Sequence, residues 1–215
     1  MINILLSLFK EKSNWNSEIE RYIKGKIVLI IPFSFTDKYV TNEKEWKNIY
    51  GVGGKFYQPT IDPLLTFGVE QEAIRWINYY QDSIDDMKQE IQNAEVIFFT
   101  GGAPELMMQR LIEKDLVEVI QAFNGVVVGY SAGAMVQLNH YHITPDEDYP
   151  SFSYERGLNL VSGFDIEVHY EPYMDPYNEK VVKEKGVKVF ALTDEGMLIV
   201  RNGEVEMYGD IKIFE

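Results

Sequence analysis

Short apolar runs alternate along this chain with polar segments whose hydrophobic residues recur at helical spacing. Ile2 to Phe9 is apolar and fits a buried strand. Asn14 to Lys24 is polar, with Ile19, Tyr22 and Ile23 at helical intervals. Lys26 to Phe33 is almost continuously hydrophobic, the pattern of a strand covered on both faces in a parallel sheet. Residues 37 to 66 mix polar and apolar positions with Gly51, Gly53, Gly54, Pro59 and Pro63, which predicts a short helix followed by a long loop. Such a loop is suited to bordering a site. Val69 to Tyr80 reads equally as one helix or as a short helix followed by a strand through Trp76 to Tyr80.

The second half carries sharper signals. Ser83 is placed to cap a helix through Asn93, with Asp85 and Asp86 in the first turn, where acids favour the helix dipole. Glu95 to Thr100 predicts a strand, Gly101-Gly102 a turn, and Pro104 the start of a helix reaching about Phe123. Gly125 to Val128 predicts another strand. After Ser131 the pattern predicts a helix to about His140, then an acidic loop from Pro145 to Tyr154. Phe164 to Tyr170 reads as a strand and Tyr177 to Lys185 as a helix. Lys188 to Leu192, Met197 to Val200, Glu204 to Tyr208 and Ile211 to Phe214 read as closing strands, with Asn202-Gly203 as a hairpin turn. Strands alternating with helices predict an α/β fold with a mainly parallel sheet between helices and small antiparallel additions near the C-terminus. No repeat or linker divides residues 1–215, so one domain is expected.

Composition narrows the function. The 215 residues are 46% hydrophobic and 25% charged, enough for a core in a globular protein. There is no cysteine, which excludes disulfides, thiolate metal sites and a cysteine nucleophile. The net charge of −14 argues against a nucleic-acid backbone or an anionic membrane surface as partner. The first ten residues lack the basic start of a signal peptide, and no apolar run has transmembrane length, so a cytoplasmic location is expected. A homodimer is compatible with this composition.

The candidate chemistry lies in Val126 to Met135. A β-branched run ends in Gly129-Tyr130-Ser131-Ala132-Gly133, and a helical segment follows, the layout of a nucleophile elbow. A side chain at Gly129 or Gly133 would crowd the neighbouring strand or helix. The Ser131 hydroxyl is then exposed above the sheet, and the Ala132 N–H is available to hold an oxyanion. The Gly101-Gly102 turn between a strand and a helix offers a second set of N–H donors. Both turns also serve packing alone in many proteins. A base for Ser131 must come from His140, His142 or His169. His140 and His142 follow the post-serine helix closely, as surface residues would. His169 ends a predicted strand, and strand ends at the carboxyl edge of a parallel sheet are where α/β sites form. The orienting acid has three candidates: Glu195 in the turn after a late strand, Asp146 in the acidic loop, and Glu167 two residues before His169.

These pieces, in this order, resemble the serine peptidase family S51, the family of aspartyl dipeptidase (peptidase E) and cyanophycinase. The likeness rests on Ile97 to Gly102, Gly129 to Ala134, Gly157 to Leu160, Val168 to Tyr170 and Glu195-Gly196, and it spans nearly the whole chain. The resemblance implies a class I glutamine-amidotransferase-like, flavodoxin-type sandwich. It implies Ser131 as nucleophile, His169 as base, Gly102 and Ala132 as oxyanion donors, and Glu195 or Asp146 as the acid, with Glu195 first. The implied substrate is a small peptide, and no metal or cofactor is required. Where the family often has Gly-Gly-Asn-Thr, this chain has Gly102-Ala103-Pro104-Glu105, and no basic residue can be assigned to grip an acidic P1 side chain. An esterase of the α/β-hydrolase type shares the bend, but only 84 residues follow Ser131 (215 − 131) and an HGGG motif is absent. A non-catalytic protein on the same scaffold is the other alternative.

Overall fold

The near-continuous apolar runs become the strands of a sheet buried on both faces. The computed structural model describes residues 1–215. In chain order the first half is β1 (Ile2–Leu6), α1 (Asn16–Ile23), β2 (Val28–Ile31), α2 (Glu43–Tyr50), α3 (Tyr57–Thr66), β3 (Ile74–Trp76), α4 (Ile84–Asn93), β4 (Val96–Phe99), α5 (Pro104–Glu113) and α6 (Val117–Gln121). There follow β5 (Val126–Tyr130), α7 (Ala132–Met135), β6 (His140–Ile143), β7 (Ser153–Arg156), β8 (Phe164–Glu167) and α8 (Asp175–Lys185). The chain closes with β9 (Lys188–Leu192), β10 (Met197–Arg201), β11 (Glu204–Tyr208) and β12 (Ile211–Phe214).

The main sheet has seven strands in the order β11-β10-β1-β5-β4-β2-β3. β1, β5, β4, β2 and β3 are parallel, and β10 and β11 add an antiparallel edge. Successive strand residues face opposite sides, and the core divides accordingly. Leu5, Leu29, Ile31, Ile97, Phe99 and Val127 enter one apolar cluster, whereas Ile4, Ile30, Phe98 and Val128 enter the other. Burying each such side chain contributes about 1.5–3 kcal/mol. A three-stranded sheet, β12-β9-β8, packs Ile166, Phe190 and Leu192 into the first cluster. β6 and β7 form a separate antiparallel pair. No helix is long and apolar enough to cross a membrane.

Several sequence expectations change. Residues 57–66 form a helix rather than a loop: Pro59 lies in the first turn, where an N–H has no helical partner anyway, and Ile61 and Leu64 are buried against the core. For residues 69–80 the order of the second alternative holds, a 3-10 turn over Gln71–Ala73 and then a strand, but the strand is Ile74–Trp76 and Ile77 to Tyr80 lie beyond it. The helix from Pro104 breaks into α5 and α6 at Asp115, whose φ of 54° is left-handed. The helix after Ser131 stops at Met135. Residues 136–139 leave it because their carbonyls accept from a distant segment: Leu158 N–H bonds Val136, and Asn159 N–H bonds Leu138. The Asn202-Gly203 hairpin forms as expected, both residues at positive φ.

Candidate active site

The carboxyl ends of β1, β2, β4 and β5 lie side by side and deliver Ser7, Ser34, Gly101-Gly102 and Ser131 to one edge of the main sheet. In open α/β sheets this edge is where ligands bind. Ser131 takes φ 50° and ψ −121°. Such backbone is costly for a residue with a Cβ and persists only where its surroundings enforce it. The enforcement is visible. An added Cβ on Gly129 would lie 2.0 Å from the Gly133 carbonyl oxygen, and one on Gly133 would lie 2.4 Å from that of Phe99. The chain therefore turns back on itself closer than any other residue permits. Ser131 N–H bonds the Leu6 carbonyl at 2.9 Å, tying the bend to β1. Buried Gln137 adds a second tie, its Nε2 donating to Gly133 and Ile4 carbonyls while its Oε1 accepts from Asn3.

Gly102 has φ 137°, and a Cβ there would lie 2.4 Å from the Ser34 carbonyl oxygen. Its neighbour Ala103 donates to that carbonyl at 2.8 Å, whereas the Gly102 N–H has no backbone acceptor. Ala132 opens α7, so its N–H has no intrahelical partner either.

His169 follows β8 by two residues and also has positive φ, at 54°. Side chains rather than close backbone packing hold it. Its N–H donates to Ser7 Oγ at 2.7 Å, and its Nδ1 lies 2.7 Å from Asp194 Oδ1. Fully buried Ser7 also donates to Asp194 Oδ1 at 3.4 Å. An ionised carboxylate only accepts, so Asp194 fixes the proton on Nδ1 and leaves Nε2 as the basic nitrogen. The pair is exposed, so its consequence is orientation more than stability. Ser131 and His169 line the same two cavities, one of about 420 Å³ and one of about 330 Å³.

The acid that contacts the imidazole is Asp194, and neither Glu195 nor Asp146, the two expected there, bonds the ring. Thr193 to Gly196 is a tight turn closed by Gly196 N–H to Thr193 O at 2.7 Å, and its two central side chains diverge. Asp194 meets His169, while Glu195 pairs with Lys10. Asp146 faces the smaller cavity but spends Oδ1 on the N–H groups of Asp148 and Tyr149, both at 2.8 Å. Glu167 is buried and bonds His142 and Thr144 instead. His140 is exposed, but His142, expected at the surface, is fully buried between Asp165 at 3.0 Å and Glu167 at 3.1 Å. Burial opposes the His142 charge, yet hydrogen bonds to the two carboxylates and their negative charge outweigh it, and its pKa is pushed up to about 10.

Sequence reasoning missed Asp194, Ser7, Gln137 and Arg110. Buried Arg110 donates to the carbonyls of Phe33 and Phe35 and to Asp37, and its guanidinium lies 3.6 Å from the centre of the Phe35 ring. It thereby fixes the segment after β2 that walls the larger cavity. Only Asp194 carried a usable signal, as an acid in the same turn as Glu195. No group of three or more His, Asp or Glu side chains is arranged to hold a metal ion.

The sequence profile of peptidase family S51 matches residues 55–208. No curated protein matches the chain. Among solved structures, the fold is similar to that of a protein assigned as a peptidase E from Listeria monocytogenes EGD-e, with a TM-score of 0.68 at 22% identity over 97% of this chain and 98% of that one. It is also similar to a peptidase from an acI-B1 Actinobacterium, with a TM-score of 0.65 at 18% identity over 99% of this chain and 88% of that one.

Proposed function

Because the chain belongs to peptidase family S51, we propose that it is a serine peptidase of small peptides in which Ser131 is the nucleophile, His169 the general base and Asp194 the orienting acid. His169 Nε2 takes the hydroxyl proton as Ser131 Oγ attacks the peptide carbonyl. The oxyanion rests on the N–H groups of Gly102 and Ala132, which have no backbone acceptor of their own. His169 then protonates the leaving amine as the C–N bond breaks, and water releases the acyl group from Ser131 by the same steps in reverse order. Asp194 keeps the proton on Nδ1 and stabilises the imidazolium.

The observation that carries this reading is the 2.7 Å contact of His169 Nδ1 with Asp194, beside a serine whose backbone is forced to φ 50°. The test is Ser131→Ala against a dipeptide panel, together with labelling by a serine-directed phosphonate. Turnover is expected to fall by a factor on the order of 10³ or more, with the folded state retained and labelling abolished. Peptide cleavage by the variant at the parent rate would remove Ser131 from the reaction. Hydrolysis of simple esters without any peptide cleavage would favour an esterase.

A further inference from the structure

The two cavities beside Ser131 differ in chemistry. The larger, about 420 Å³, is walled by Phe35, Tyr39, Ile49, Tyr50 and Phe56, and reaches Gly101, Gly102, Ser131 and His169. Its aromatic wall is continuous, with ring centres 6.4 Å apart for Phe35 and Tyr50 and 6.1 Å for Tyr50 and Phe56. Its only Lys or Arg is Lys55, whose Nζ lies 5.0 Å from the Phe56 ring centre and is paired with no carboxylate. Tyr39 and Phe56 are exposed at the wall, available to a ligand. The smaller cavity, about 330 Å³, is lined by Asp146, Asp148 and Glu167 and by no Lys or Arg. Ser131 and His169 border both.

We propose that the aromatic cavity is the subsite for a large apolar side chain on the carboxyl side of the scissile bond, and that Lys55 pairs with the terminal carboxylate of a short peptide. The proposal rests on the peptidase reading above and adds its direction and specificity. A short peptide with free ends is a dipole. The acidic cavity attracts its ammonium end and repels its carboxylate, and Lys55 does the opposite. The peptide therefore lies across Ser131 with its amino end toward Asp146 and Asp148. Its carboxyl-side residue, the one leaving as an amine, falls among the rings. The volume suits one large side chain, and an apolar wall with a single charged group fixes orientation in the usual manner of small-molecule sites.

The experiment uses the full chain and dipeptide mixtures randomised at the first residue, with Phe, Leu, Gly or Asp second. Xaa-Phe and Xaa-Leu are expected to exceed Xaa-Gly in kcat/KM by about tenfold or more. Amidating the C-terminus of Xaa-Phe is expected to raise KM about tenfold in the parent, and amidation is expected to have no further effect in Lys55→Gln, because the partner of the carboxylate is gone. Lys55 is exposed, so this variant keeps its fold. Ile49→Trp fills the cavity and is expected to shift preference from Phe toward Gly. Equal turnover of Phe, Gly and Asp peptides, or an amidation penalty undiminished in Lys55→Gln, overturns the subsite while leaving the peptidase reading intact. Absence of both peptide cleavage and Ser131 labelling overturns that reading, and this proposal with it.

Discussion

Ser131 and His169 both have positive φ, 50° and 54°, but are held in opposite ways. The bend after β5 is forced by close backbone packing, of Gly129 against the Gly133 carbonyl within the bend and of Gly133 against the Phe99 carbonyl on β4, with Gln137 bonding Gly133 across it. The segment after β8 is held by side chains arriving from the end of β1 and from the turn after β9, through Ser7 and Asp194. Close backbone packing fixes the first. Long-range hydrogen bonding fixes the second, and it is the more easily undone. The difference suits the proposed roles: a nucleophile benefits from a rigid position, whereas a base must hold, give and reclaim a proton in one tautomer.

The sharpest way to break this comparison is Asp194→Asn. It keeps the shape of the turn but offers His169 the wrong partner, and peptide turnover is expected to drop on the order of 10³–10⁴ with little change in thermal unfolding. Glu195→Gln, in the same turn, is the control and is expected to leave turnover within about twofold, since its partner Lys10 is a partly exposed surface group. If Glu195→Gln has the larger effect, the two acids have been assigned in reverse.

Next comes Gly129→Ala. Its Cβ has no room beside the Gly133 carbonyl, so a loss of about 3 kcal/mol or more is expected in denaturant unfolding. A well-folded Gly129→Ala would mean that the bend is less constrained than its contacts imply. Ser7→Ala should be milder. It leaves the His169 N–H without an acceptor, at a cost of about 1–3 kcal/mol, and should reduce kcat more than it raises KM.

A further effect is a slope with pH. His142 has a pKa raised from 6.5 to about 10 in the folded protein. The stability it contributes is therefore complete below the unfolded value near 6.5 and is lost as pH climbs toward 10. Urea midpoints measured from pH 6 to 9 are expected to fall in the parent and to fall less steeply in His142→Asn. Parallel slopes would show that His142 is not charged in the fold.

Much of the architecture was legible because its signals are local. The β2 and β4 runs, the Ser83 cap, the Asn202-Gly203 hairpin and the four closing strands follow from hydrophobic period and turn chemistry within a few residues. The helical content of residues 57–66 was obscured by Pro59 and Pro63. The early end of α7 was hidden because its cause, pairing with Leu158 and Asn159, lies some twenty residues away in sequence. At the site, Ser131 was legible from the glycines beside it. His169 was singled out from three histidines by its place at the end of a predicted strand.

By itself, the sequence determined where the chain must bend, because glycine spacing and β-branched runs act through bonded geometry and contacts within one turn. It also determined that no cysteine thiolate is available as a nucleophile. Only the tertiary structure decided which of two adjacent acids meets the imidazole, that Ser7 braces it, and that one flank of Ser131 is aromatic and the other acidic. Those outcomes depend on how distant strand ends are brought together and which way each side chain points when they meet, and direction at a meeting of segments is a property of packing that no local pattern encodes.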